Sequence, residues 1–282
     1  MNEPIITLAD GLWIYLATFV VLAGEIVTGQ LKNCTRRDFG LTLLCFLSNS
    51  ALTRPLFGFG AGLLAAWALP AYAGAGSGVP LWAAFLVTFV ASEFVFYWIH
   101  RWSHEGQKKG HRLNWLWKVH RTHHSATEIN VTVVQRQNIF WALFTPHIWL
   151  TALFVYLGME AGIALTLIVM YVWNTLTHMH WRVDGKFINT RFGRAIMHVV
   201  ITPSMHHAHH GYGKNGKMYK NFGLCLAVFD WAFGTLYLPE GKPSRYGVPG
   251  EQPHWAEEAF YPLNHLLPKK KTVPATAEAT TS

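Results

Sequence analysis

LWAAFLVTFVASEFVFYWIHRWSH, residues 81–104, decides the architecture. Residues 81–99 form an apolar run with Glu93 as its one charge, close to the roughly 20 residues that cross about 30 Å of hydrocarbon. The run passes without a helix breaker into HRWSH. At i and i+4 on a continuing helix, His100 and His104 share one face, so both imidazoles reach one metal ion. A membrane-spanning helix that ends in metal ligands is therefore the first expectation.

Comparable apolar segments occur at about 11–29, 39–71, 139–157 and 160–178. The segment 39–71 is too long for one straight span. Arg54 and Pro55 interrupt it, which predicts a broken or tilted element with a re-entrant half. Hydrophobic residues make up 51% of the 282, charged residues 13% and aromatics 15%, which disfavours a disordered, fibrous or ordinary water-soluble chain. Met1 to Asp10 carry no Lys or Arg, so the first apolar stretch is expected to be retained as a span. Cys34, Cys45 and Cys225 lie far apart, which excludes a disulfide framework and a zinc ribbon.

Charge gives an orientation. Lys32, Arg36 and Arg37 lie between the first two apolar segments, and seven Lys or Arg lie between residues 100 and 137, whereas 71–80 and 158–162 have none. The positive-inside rule makes the basic loops and everything after residue 181 cytoplasmic. The expected fold class is thus an all-α integral membrane protein with four to five transmembrane or re-entrant helices. Its expected domains are a transmembrane part (1–180) with the first two histidine motifs, a cytoplasmic helical cap (181–268) with the last, and a disordered tail (269–282). The net charge of +8 follows this topology, so the chain is not expected to bind nucleic acid.

Sixteen histidines are the compositional outlier, and ten fall in spaced groups. His120, His123 and His124 form HRTHH, in which i, i+3 and i+4 are again expected to converge on one face, and His206, His209 and His210 repeat that spacing in HHAHH. Thr202 before Pro203 reads as an N-cap and Gly211 as a C-cap, so the latter group sits on its own short helix. His207 is rotated about 100° from His206 and is a weaker ligand. His178 and His180 end the last apolar segment. Eight or more imidazoles exceed the four ligands of a structural zinc, which predicts a dinuclear centre for a metal such as Zn, Cu, Fe or Ni. The only ExxH, Glu251 to His254, has Pro253 inside it, so a carboxylate-bridged plan has no support.

HRWSH, HRTHHSATEINVTVVQRQ and TPSMHHAHHG, with KNFGLCLAVFDWAFGTLYLP downstream, resemble the fatty acid hydroxylase/sterol desaturase superfamily of integral-membrane di-iron enzymes over residues 81–240. The bacterial sterol-desaturase-like and alkylglycerol-monooxygenase-like branch looks most similar. The resemblance implies two iron ions held by His100, His104, His120, His123, His124, His178, His206, His209 and His210. The tenth position is open between Asn174, His180 and water. Asp230 in FDWAFGT, like Asn221 in KNFG, either supports a ligand imidazole through a hydrogen bond or is structural. Glu93, at membrane depth, either orients a ligand or ties to a neighbouring helix. Glu25 has no partner that the sequence names.

The expected activity is O2-dependent hydroxylation, or desaturation, of an unactivated C–H bond in a membrane lipid such as an acyl chain, sterol or ether lipid. Two electrons come from a separate reductase through a ferredoxin or cytochrome, because no haem-binding CxxCH and no GxGxxG after a strand is present. The metal site faces the cytoplasm, at the inner membrane of a bacterium or the endoplasmic reticulum of a eukaryote. A competing function, membrane metal binding or transport, would place histidines along a path through the spans. Here they stand at span ends, His147 beside Pro146 excepted.

Overall fold

The computed structural model describes residues 8–250 and 252–266, so the expected disordered tail and Glu251 of the Glu251–His254 pair lie outside the described residues. The apolar segments, with the basic stretch between the third and fourth, form helices α1 (Leu8–Val27), α2 (Arg36–Ser48), α3 (Arg54–Ala68), α4 (Leu81–Glu105), α5 (Asn114–His124), α6 (Trp141–Phe144), α7 (Pro146–Tyr156) and α8 (Glu160–His178). Beyond them come α9 (Arg191–Ile196), α10 (Pro203–His210), β1 (Gly211–Tyr212), α11 (Val228–Ala232), β2 (Arg245–Tyr246) and α12 (Trp255–Phe260). The protein is thus mostly helical, with β1 and β2 pairing antiparallel through Gly211↔Tyr246 and Tyr212↔Arg245.

Two expectations change. Residues 39–71 do not break at Arg54 and Pro55: a π turn, Asn49–Thr53, joins α2 to α3, and the Arg54 N–H donates to the Asn49 carbonyl. Pro55 has no N–H to give to a regular ladder, and the wider turn carries the helix through. Residues 139–157, in contrast, do break. Thr145 is extended at ψ 142 before Pro146, which leaves α7 at 11 residues, about 16 Å against the roughly 30 Å of a span. Among the described residues, α4 and α8 are the helices long and apolar enough to cross a membrane, with shorter apolar stretches at Tyr15–Val27 and Pro146–Tyr156.

α4 packs against α8 through small residues and hydroxyls, the pattern of helix pairs that gain little from apolar burial. Thr88 and Thr166 share a buried hydrogen bond of 2.7 Å, and Thr18 of α1 meets Thr175 of α8 at 3.0 Å. Gly162 is the closest approach, since a Cβ there would stand 2.6 Å from the Ala84 Cβ and 2.7 Å from its carbonyl carbon. Gly162→Ala is therefore expected to cost about 1–3 kcal/mol by overpacking. Thermal unfolding in detergent checks this, and an unchanged or raised midpoint would contradict the packing.

The segments after α8 fold back onto the helices that carry histidines. α10 lies on α8, and α12 packs on α5 and α2. Arg37 and Glu258 pair at 2.6 Å, and Arg121 and Glu257 at 2.8 Å. The fully buried Arg136 donates to Asp38 at 2.6 Å and to Ser125 Oγ at 2.8 Å, tying the start of α2 to the end of α5. Glu25 finds its partners in backbone, accepting from Val131 N at 3.1 Å and His180 N at 2.7 Å.

Candidate metal centre

Nine imidazoles converge at the ends of α4, α5, α8 and α10, in two groups. His100, His104, His120, His124 and His209 form the first, and His123, His178, His206 and His210 the second, with ligand atoms within 4.8 Å of one another in each. The two HxxHH motifs are divided between them. On α5 the i, i+4 pair His120 and His124 serves the first group while His123 serves the second. On α10 the pair His206 and His210 serves the second while His209 serves the first. The expectation that each motif converges on one face gives way here to an interleaved arrangement. Its cause is helical: i+3 and i+4 lie about 100° apart and flank the line through i.

The nitrogens stand closer than apolar packing would bring them. His124 Nε2 is 3.1 Å from Nε2 of both His104 and His120, and His178 Nε2 is 3.1 Å from that of His123 and 3.0 Å from that of His206. A neutral imidazole has one N–H and one lone pair, so such clusters cannot all be bridged by protons. Nε2 of His100, His209 and His210 is buried without any hydrogen-bond partner. At a metal–nitrogen distance of about 2.1 Å, neighbouring ligands at right angles stand about 3.0 Å apart and tetrahedral ones about 3.4 Å. Two metal ions fit these residues.

Protonation agrees. Burial, reinforced by neighbouring imidazoles, holds His120, His124, His206, His209 and His210 well below the usual histidine value, and burial brings His123 to about 4. The rings are therefore neutral at physiological pH, as metal ligands must be. Three rings are oriented by carbonyls that accept their Nδ1–H at 2.8 Å: Phe222 for His100, Lys220 for His209 and Asn174 for His178. Each such bond fixes the tautomer that turns the Nε2 lone pair inward.

The loop 220–226 supplies two of those carbonyls, and the supporting residues expected from sequence hold this loop rather than the rings. Asp230 accepts from Phe222 N and Gly223 N at 2.8 Å each and from Thr235 Oγ1 at 2.6 Å, so it touches no imidazole and acts one step behind His100. Glu93 accepts from Cys225 N at 3.0 Å and Leu226 N at 2.9 Å, tying α4 to the same loop and to neither histidine group. Asn221, at φ 59, bonds both backbone groups of Tyr237, N–H at 2.7 Å and C=O at 2.9 Å. Asn174 contributes its carbonyl to His178 while its side chain faces a cavity, and His180 joins neither group. His207 is buried apart, with Nδ1 at 3.0 Å from Tyr246 Oη and Nε2 at 3.0 Å from the Met179 carbonyl. Trp141, whose ring lies 4.3 Å from that of His120, is a wall the sequence did not single out.

A cavity of about 730 Å³ opens from the histidines between α3, α4, α7 and α8. His100, His120, His123, His178 and His206 line it together with apolar Phe96, Ile148, Ala152, Val155, Leu167 and Met170 and polar Arg54, Gln137 and Asn174. The cavity thus borders both histidine groups.

The fatty acid hydroxylase family profile matches residues 85–235, more than half of the chain. Alkylglycerol monooxygenase of Xenopus tropicalis is 29% identical over 162 residues, 57% of this chain and 32% of the relative. The Homo sapiens alkylglycerol monooxygenase is 27% identical over 165 residues, with the same shares. The match thus spans about a third of the length of these curated relatives. No solved structure matches the chain.

Proposed function

The chain belongs to the fatty acid hydroxylase family, and from that premise we propose that it is a membrane-bound di-iron oxygenase that hydroxylates, or desaturates, an unactivated C–H bond of a membrane lipid. The observation that carries this reading is the placement of two all-imidazole groups against one largely apolar cavity. His100, His104, His120, His124 and His209 would hold one iron and His123, His178, His206 and His210 the other. Bound there, the pair supplies the reduction of O2 and the oxidising power for C–H cleavage. The balance is R–H, O2, two electrons and two protons giving R–OH and water, so an electron donor is required and a separate reductase with a ferredoxin or cytochrome is proposed. The chain's own part is positional. Phe96, Trp141 and Met170 exclude water, and the carbonyls of loop 220–226 keep the rings aimed inward.

A multi-pass topology is supported by large apolar side chains left exposed on several helices: Phe19 and Val20 on α1, Phe59 and Trp67 on α3, Val87 and Val90 on α4. The two loops without positive charge meet at one end, where Gly74 N donates to the Tyr156 carbonyl at 3.0 Å. The basic loops carry the histidines at the other end, which supports a cytoplasmic metal site under the cap.

The protein purified in detergent is expected to bind two irons per chain. With a chemical reductant and isotopically labelled O2 it is expected to incorporate label into a bilayer lipid. Two irons without any O2-dependent product, or metal flux into vesicles, would move the assignment to metal binding or transport.

A further inference from the structure

Arg54 lines the cavity at the start of α3, at the point where the apolar run 39–71 carries its charge. Among the described residues its guanidinium has neither a hydrogen bond nor an ion pair, and no Asp or Glu lines the cavity. Arg54 is half-buried near the middle of the continuous helical run from Arg36 to Ala68, and an arginine so placed is costly without an anion to meet it and marks a functional site by default.

The neighbouring polar groups also lack acceptors. His147 and Tyr171 line the same cavity as Arg54. The His147 ring packs against Phe96 with centroids 5.9 Å apart and makes no hydrogen bond among the described residues. One turn further along α7, Thr151 Oγ1 is buried in the wall with no partner. The Tyr171 hydroxyl accepts from Thr18 Oγ1 and Gln135 Nε2 at 2.9 Å each, so its own proton is left to be donated. Four donors thus line one largely apolar cavity, with Gln137, Thr145 and Asn174 among its other polar groups outside the histidine clusters.

We propose that the ligand of this cavity is a lipid with an anionic head group, a carboxylate or a phosphate, whose oxygens are bound by Arg54 with His147, Thr151 and Tyr171. The proposal rests on the lipid-substrate reading of the same cavity and narrows it. A guanidinium meets either anion with paired N–H bonds, and the hydroxyls and imidazole fill the remaining oxygen lone pairs. A neutral alcohol of the same chain length would leave the arginine unmatched.

The test is binding to the full-length, iron-loaded protein without O2, so that no turnover intervenes. Hexadecanoate, hexadecyl phosphate and hexadecanol are titrated by calorimetry in one detergent. At least one anion is expected to bind about tenfold or more tightly than the alcohol, and the tighter of the two anions identifies the head group. Arg54→Gln should erase that preference while leaving hexadecanol binding and iron content unchanged, and Arg54→Lys should retain most of it. Equal binding of alcohol and anions by the parent protein, or an equal loss of all three ligands in Arg54→Gln, would overturn the proposal. If Arg54→Gln loses its iron, Thr151→Val decides: the preference must fall about fivefold, and an unchanged preference overturns it. An anion preference with no oxidation once O2 and a chemical reductant are admitted would leave this inference standing and sink the oxygenase reading.

Discussion

Alanine at His124 is expected to leave one metal ion per chain instead of two and to reduce turnover to background. His124 Nε2 is the centre of the first group, 3.1 Å from His104 and from His120. Its loss removes a donor that no neighbour can replace, since the remaining four already point at the same space. Outer hydrogen-bonding partners of metal ligands are worth about 10–100-fold in affinity, and a direct ligand should exceed that. His178→Ala is the mirror experiment, because His178 Nε2 centres the second group. Metal analysis after gel filtration gives the answer: two ions retained in either variant would show that these rings are not ligands, and loss of both from each would show that neither half loads alone.

Asparagine at Asp230 is expected to lower stability by about 2–3 kcal/mol and to weaken metal binding by about 10–100-fold. The carboxylate is wholly buried and accepts three hydrogen bonds, from Phe222 N, Gly223 N and Thr235 Oγ1. An amide has one oxygen, so at least one buried N–H faces an NH2 and goes unsatisfied. The disturbed group is the Phe222 peptide, whose carbonyl orients His100. Unfolding in denaturant and iron titration check the two effects. Loss of stability with unchanged iron affinity would make Asp230 a structural residue only.

The histidine clusters were legible because side chains that share a helix face leave their spacing in the sequence: HRWSH gives one face of a helix, and each HxxHH shares that mark. How the motifs divide between two groups was not. An i, i+3, i+4 set flanks a line, and only the tertiary placement of α5 against α10 decides which flank meets which neighbour. The supporting partners were less visible still, since Glu25, Glu93 and Asp230 all accept from backbone N–H groups and the oriented rings donate to backbone carbonyls. Backbone groups are present at every position and so carry no signature. Pro55 illustrates the reverse error, in which a local breaker is absorbed by a π turn, whereas Pro146, after an extended Thr145, does end its segment.

The interleaving of the motifs turns α5 and α10 into gauge blocks. On each helix the two groups are joined by a single peptide bond, His123 to His124 and His209 to His210, with ring centroids 5.5 Å and 5.4 Å apart. A link that short does not stretch, so tilting either helix carries both halves of the centre together. The part of the cavity wall that α3 and α7 build contributes no rung to that gauge, unlike α4 and α8, which carry wall residues and histidines alike. Residues on that part are free to be exchanged for a different lipid while the calibration of the centre stays the same.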